Sequence, residues 1–222
     1  MVSDLSKSVQ PAVRLAHIAA RLNAARVNAS SRPAPFALAL MTDERIPDMV
    51  RAIEKLPSVQ GSRAAIIFRH YNHPERKKFA RHLCALSQQK GHLFLVAGDP
   101  ALGRDVCADG LHLPGWQLTD ALMVRESNPH IILSAACHDE MAIKVATAAN
   151  VDCLLLSPVF ETKSHANKKT LGTDRFKELA SSTDIPTLAL GGINNYNAEE
   201  LRDTGAAGIA AISALIPSSE LD

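Results

Sequence analysis

An α/β fold, specifically a (β/α)8 barrel of the TIM type with an N-terminal helical extension, is what this sequence predicts, and three observations predict it. From Phe36 onward, apolar runs of strand length alternate with polar, amphipathic segments, which is the pattern of a parallel sheet. The last two runs end in a distinctive way. Ile185-Pro-Thr-Leu-Ala-Leu-Gly-Gly-Ile193 stops at Gly191-Gly192, and Gly205-Ala-Ala-Gly-Ile-Ala-Ala-Ile-Ser-Ala214 ends at Ser213. The seventh and eighth strands of such a barrel read this way when their C-terminal ends hold a phosphate. Composition supplies the third observation. The chain has 222 residues, the size of one small barrel, and is 46% hydrophobic but only 4% aromatic. Val, Ile, Leu and Ala must therefore do the packing, which favours aliphatic α/β layers.

Residues 1–33 stand apart from the alternating pattern. Ser8 to Ala29 is rich in Ala and Arg, with apolar residues at Val13, Ala16, Ile18, Ala20, Leu22 and Val27, and predicts one loosely amphipathic helix. Ser-Ser-Arg-Pro-Ala-Pro then breaks the pattern as a linker. Such a helix could cover the bottom of the barrel, mediate self-association, or fill a gap left by a short eighth helix. An appended helix implies that its deletion leaves a folded barrel. Residues 34–222 form the barrel domain.

Strands are predicted at Phe36–Leu40, Ala64–Arg69, Leu93–Gly98, Gly110–Leu113, Ile131–Ala136, Cys153–Ser157, Thr187–Leu190 and Gly208–Ser213. Amphipathic helical segments lie at Asp43–Lys55, Pro74–Lys90, Asp139–Ala149, Asp174–Ser181 and Asn197–Thr204. The third helix has little room between Asp99 and Asp109, and the tail after Ser213 leaves the eighth stunted. An open, doubly wound sheet is the competing architecture, but no GxGxxG follows the first strand.

Composition also excludes some function classes. A formal net charge of +1 argues against a general nucleic-acid binder. No apolar run is long enough to span a bilayer, and the N-terminus lacks the order of a signal peptide. The four cysteines form no CxxC pair and no disulfide-dense pattern, so a reducing cytoplasm is expected. The expected partner is a phosphorylated small molecule, with a homo-oligomer open.

In a barrel, chemistry collects where strands end at the C-terminal face. Those positions hold Arg69 and His70 after strand 2, Asp99 after strand 3, His112 within strand 4 and His138 after strand 5. Thr162, Lys163, Ser164 and His165 follow strand 6, and Gly191, Gly192, Ile212 and Ser213 complete the ring. Cations, hydroxyls and imidazoles dominate, which suits a phosphorylated ligand. Two adjacent glycines let backbone N–H groups approach an anion closely. Histidine suits acid–base work near neutral pH. Each residue also has a plainer role available. Arg69 could form an ion pair, Asp99 could cap a helix, His112 could be a buried histidine satisfied by the backbone, and the glycine pair could simply turn the chain. No HxH or HExxH spacing supports a histidine metal site, and Cys137 points away from its neighbour His138.

With these residues in view, the chain resembles the thiamine phosphate synthase family, which includes the thiazole tautomerases. The resemblance spans about residues 36–216 and rests on Cys107-Ala-Asp-Gly-Leu-His-Leu113, Ser157-Pro-Val-Phe-Glu-Thr-Lys163, Leu190-Gly-Gly-Ile193 and the segment from Gly205 to Ala214. It implies a (β/α)8 barrel that joins a pyrimidine diphosphate to a thiazole phosphate and releases diphosphate, with Mg²⁺ and cationic side chains stabilising the leaving group. It further implies phosphate binding by Gly191, Gly192, Ile212 and Ser213. Diphosphate would be held by Arg69, Thr162, Lys163 and His165, and Mg²⁺ by Asp99.

The departures from the family pattern concentrate in the diphosphate half. Arg-Glu-Lys after strand 2 becomes Arg69-His70-Tyr71, and Asn-Asp after strand 3 becomes Gly98-Asp99. The stretch after the strand-4 histidine, Pro114-Gly-Trp-Gln117, offers glutamine for a second metal aspartate, and a lysine after strand 6 becomes His165. Lys163 and Lys168 could supply replacement charge. A tautomerase needs a phosphate site and an acid–base residue but no diphosphate clamp, and the resemblance places His138 in that role. Arg69 or Lys163 would then bind the substrate carboxylate. Three readings stand at this point: synthase, thiazole tautomerase, and a non-catalytic binder of a phosphorylated ligand.

Overall fold

A computed structural model describes residues 10–28, 32–162 and 169–216. Eight parallel strands close into a barrel in sequence order: β1 (Leu38–Met41), β2 (Ala64–Phe68), β3 (Leu93–Ala97), β4 (Gly110–Leu113), β5 (Ile132–Cys137), β6 (Cys153–Leu156), β7 (Thr187–Leu190) and β8 (Gly208–Ala211). The register runs Leu38↔Ala64 between β1 and β2, and the barrel closes through Leu38↔Ile209 between β1 and β8.

Strand alternation sorts the aliphatic residues into two cores. Ala39, Met41, Ile67, Leu95, Leu155 and Ala210 fill the barrel interior. Leu40, Ile66, Phe68, Val96, Leu133 and Leu156 face outward under the helices. Function is thereby confined to the rim, because the interior is solid with side chains.

The helices are α1 (Pro11–Asn28), α2 (Met49–Lys55), α3 (Arg76–Gln89), α4 (Pro100–Asp105), α5 (Ala121–Ser127), α6 (Glu140–Ala148) and α7 (Gly172–Ser181). Local chemistry sets several starts. Asp48, Asp99 and Asp139 cap α2, α4 and α6 by accepting from the N–H groups of Arg51, Leu102 and Ala142. The helix predicted over Asp43–Lys55 therefore begins only at Met49, and Asp43 is left for the rim. The helix predicted over Asn197–Thr204 is a single 3₁₀ turn, Ala198–Leu201. Here Asn194 and Asn197 bond the local backbone, with Asn197 Oδ1 accepting from Asn194 N–H and Asn194 Oδ1 from Tyr196 N–H. Side-chain bonds of this kind compete with a helix. The strand predicted over Gly208–Ser213 ends at Ala211, and Ser213–Leu215 form another 3₁₀ turn. The 3₁₀ turn Gly115–Asp120 and α5 are the elements the periodicity did not single out.

The N-terminal helix is bound into the wall. α1 packs on the outside of β8 and β1 and on both late 3₁₀ turns, where a full eighth helix would otherwise lie. Leu15, Ala16, Ile18, Ala19 and Leu22 are buried in the outer core. Arg21 pairs with Glu199, and Arg26 donates to the carbonyl of Asp184 at 2.6 Å. The eighth outer layer is thus supplied from the front of the chain. Among the described residues, no helix is long and apolar enough to cross a membrane.

Candidate functional site

At the β2 corner of the rim, Arg69 follows the strand's last residue. Its Nε donates to the Thr42 carbonyl at 2.9 Å, and its backbone N–H donates to Thr42 Oγ1 at 2.9 Å. Asp43 Oδ2 lies 3.5 Å from Arg69 Nη2. Asp43 is itself gripped by Arg45, whose hydrogen bond is the main reason its carboxyl is held down to about 2. Burial lowers the Arg69 pKa, although Asp43 opposes the shift. The result is a partly desolvated guanidinium fixed at the barrel mouth. Thr42 and Asp43 follow β1, at a strand end that the sequence pattern did not mark as functional.

His112 points inward from β4 and is almost wholly buried, with Nδ1 2.9 Å from Ser134 Oγ on β5. The backbone partner predicted for it is replaced by this hydroxyl. Burial, and secondarily Arg69, push its pKa down to about 3. His112 is therefore neutral at physiological pH and serves as a polar floor to the mouth. The folded protein holds it neutral while the unfolded chain, with a midpoint near 6.5, takes up a proton. Stability is then full above about 6.5 and falls as pH drops toward 3, by about 1.4 kcal/mol for each pH unit in that window. His112→Phe should flatten that part of the stability–pH curve in urea titrations. An unchanged acid slope would place the proton uptake elsewhere.

His138 follows β5 and is exposed to the mouth. Its Nδ1 lies 2.6 Å from the Ser157 carbonyl, which only accepts, so Nδ1 carries the hydrogen. Nε2 is then the basic nitrogen. Gly115 lies beside it, and a Cβ there would come into ordinary contact with Nε2 at 3.7 Å. The neighbouring Cys137 faces the outer core, and burial pushes its thiol up to about 12. It is not a nucleophile.

Gly191 and Gly192 turn the chain at the end of β7 with φ of 99° and 68°. A Cβ on Gly192 would sit 2.2 Å from the Glu161 carbonyl oxygen and 2.7 Å from that of Phe160. One on Gly191 would meet Pro158 at 2.8 Å. Both glycines are therefore needed to pack the loop after β6, which continues the ladder through Val159 and Phe160. A substitution here would report on that packing before it reported on anion binding. The arrangement also leaves the N–H groups of Gly192, Ile193 and Ser213 without a protein acceptor among the described residues. Ser213 is exposed at the start of its 3₁₀ turn, and Ile212 packs into the interior beneath it. N–H groups left free at strand ends are the kind of donor that a phosphate takes up in such a barrel.

Asp99 serves as the cap of α4, with Oδ1 accepting from Leu102 N–H at 2.9 Å. Its Oδ2 is held at 2.5 Å by Arg76 Nη1 from α3, a residue sequence reading missed. Nothing in the local pattern marked Arg76, which starts a helix like any surface arginine. Thr162 lies at the end of the described loop after β6, and Lys163, Ser164, His165 and Lys168 lie outside the described residues. Mg²⁺ prefers several oxygen ligands in near-octahedral array. Here Asp99 is already capped and ion-paired. Gln117 brings only a neutral amide oxygen, buried without a partner among the described residues. No group of three or more His, Cys, Asp or Glu gathers among the described residues. The donor set does not fit a Mg²⁺ site.

Comparison with known proteins adds a second line. A family model described as thiamine monophosphate synthase matches residues 38–215. A thiamine-phosphate synthase of Methanococcus maripaludis (strain C5) is 27% identical over 184 residues, covering 82% of this chain and 87% of that protein. One from Pyrococcus furiosus is 29% identical, covering 83% and 88%. Among solved structures, a thiamine phosphate pyrophosphorylase from Pyrococcus furiosus superposes with a TM-score of 0.70 at 28% identity, over 83% of this chain and 89% of that one. QR15, an aldolase, shares the fold alone at 14% identity and a TM-score of 0.55, over 82% of this chain and 92% of that one.

Proposed function

The chain belongs to the thiamine monophosphate synthase family, and from that premise we propose that it binds a thiazole phosphate at its mouth and moves a proton on that ring with His138. The observation that carries the reading is the Nδ1–H bond from His138 to the Ser157 carbonyl, which leaves Nε2 as a base on the same rim as the glycine turn. The phosphate sits against the N–H groups of Gly192, Ile193 and Ser213. Arg69, preset by Thr42 and Asp43, meets a carboxylate on the ring. Nε2 takes a proton from a ring carbon, and the electron pair moves through the conjugated ring toward the carboxylate that Arg69 neutralises. The same imidazolium then returns the proton to a different atom, giving the isomer. No net charge is made and no group leaves, so the step needs no divalent cation.

The second reading is synthase chemistry, favoured by the names of the relatives that match most of the chain. In it, Arg69 and Thr162 would face the diphosphate. Titration calorimetry tests the phosphate seat common to both. Ser213→Asp places a carboxylate against the anion without entering the core. It should weaken binding of thiazole phosphate by about tenfold or more, roughly 1.4 kcal/mol, with the melting temperature kept. Unchanged affinity would remove the phosphate from this turn.

A further inference from the structure

We propose that Arg76 takes the place of a divalent cation at Asp99, so that the rim between β2 and β4 has its carboxylate already neutralised and excludes Mg²⁺. This holds whichever reaction the mouth performs. Arg76 is only 17% exposed in its side chain, and it is tied on three sides. Nη1 donates to Asp99 Oδ2 at 2.5 Å, Nη2 to the Ala97 carbonyl at 3.1 Å, and Nε to the His70 carbonyl at 2.8 Å. The guanidinium thus bridges the ends of β2 and β3 and neutralises the Asp99 carboxylate there.

Two aromatic rings frame the same place. Arg76 lies 5.6 Å from the Phe68 ring centroid and 5.8 Å from that of Tyr71, within reach of cation–π attraction. Gly98, with φ of 71°, leaves room for Trp116 and Tyr71. A Cβ there would meet Trp116 Cζ2 at 3.1 Å and Tyr71 Cε1 at 3.2 Å. A second cation at Asp99 would face a fixed positive charge at close range, with one carboxylate oxygen already capping α4. The planar fork of arginine is suited to this fixed pairing. Arg76 is a positioning residue: it sets the charge and ligand capacity of Asp99.

Trp116, the chain's single tryptophan, stands beside Gly98 and reports on the site. Paramagnetic Mn²⁺, alone and with inorganic diphosphate, is titrated against wild type, Asp99→Asn, Arg76→Gln and the double variant. Trp116 quenching and the free Mn²⁺ signal in electron paramagnetic resonance are followed. Wild type and Asp99→Asn should bind Mn²⁺ equally weakly. Arg76→Gln should bind about 10–100-fold more tightly, and the double variant should lose that gain. Wild-type Mn²⁺ binding that Asp99→Asn abolishes would overturn the proposal. So would a folded Arg76→Gln protein with no gain. Should Arg76→Gln fail to fold, the wild-type and Asp99→Asn pair decides alone: equal weak binding supports the proposal, and Asp99-dependent binding overturns it.

Discussion

His138→Ala lowers kcat for ring isomerisation by about 10²–10⁴-fold and leaves the affinity for a thiazole phosphate near the wild-type value. The geometry fixes the tautomer of this imidazole. His138 Nδ1 donates to the Ser157 carbonyl at 2.6 Å, and the side chain is exposed. His112 cannot substitute, because burial keeps it neutral down to about 3 and its Nδ1 faces Ser134. Separate measurement of kcat and of the calorimetric Kd checks the split. A fall in affinity with kcat retained would make His138 a ligand contact and move the acid–base role elsewhere.

Deletion of residues 1–33 abolishes cooperative folding. Leu15, Ile18 and Leu22 are buried against the barrel, and burying three such side chains contributes roughly 5–9 kcal/mol. Whole domains are stable by only about 5–15 kcal/mol. The deletion also uncovers the outer faces of β8 and β1, where Ile209 and Leu38 now lie under the helix. Denaturant unfolding followed by circular dichroism checks this. Leu15→Ala provides the graded version and should cost about 2–5 kcal/mol. A truncated chain that unfolds sharply near the wild-type midpoint would make the helix an appendage after all.

The barrel was legible because its information is local. Continuous aliphatic runs of strand length, punctuated by amphipathic segments, name eight strands whichever way the chain closes. The rim histidines and Arg69 were legible for the same reason, since strand ends can be read from where the runs stop. Partnership was not. Arg76 lies 23 residues before Asp99 and looks like any helix-start arginine until α3 packs beside β3. Thr42 and Asp43 acquire meaning only when β1 and β2 pair and bring them to Arg69. The docking of α1 depends on a vacancy beside β8 that exists only once the barrel has closed. Asn194 and Asn197, which stop a helix, look like ordinary helix-flanking residues until their side chains fold back on the chain.

The most direct measurement is turnover in the presence of EDTA. Purified protein is given a thiazole carboxylate phosphate in heavy water, and isomer formation with deuterium uptake at the ring is followed by NMR. A parallel sample receives pyrimidine diphosphate and thiazole phosphate with Mg²⁺, and diphosphate release is measured. Isomerisation that survives EDTA and is lost in His138→Ala, with no diphosphate released in the parallel sample, is the result expected. Mg²⁺-dependent release of diphosphate, with no isomerisation in EDTA, would contradict it and make this barrel a synthase.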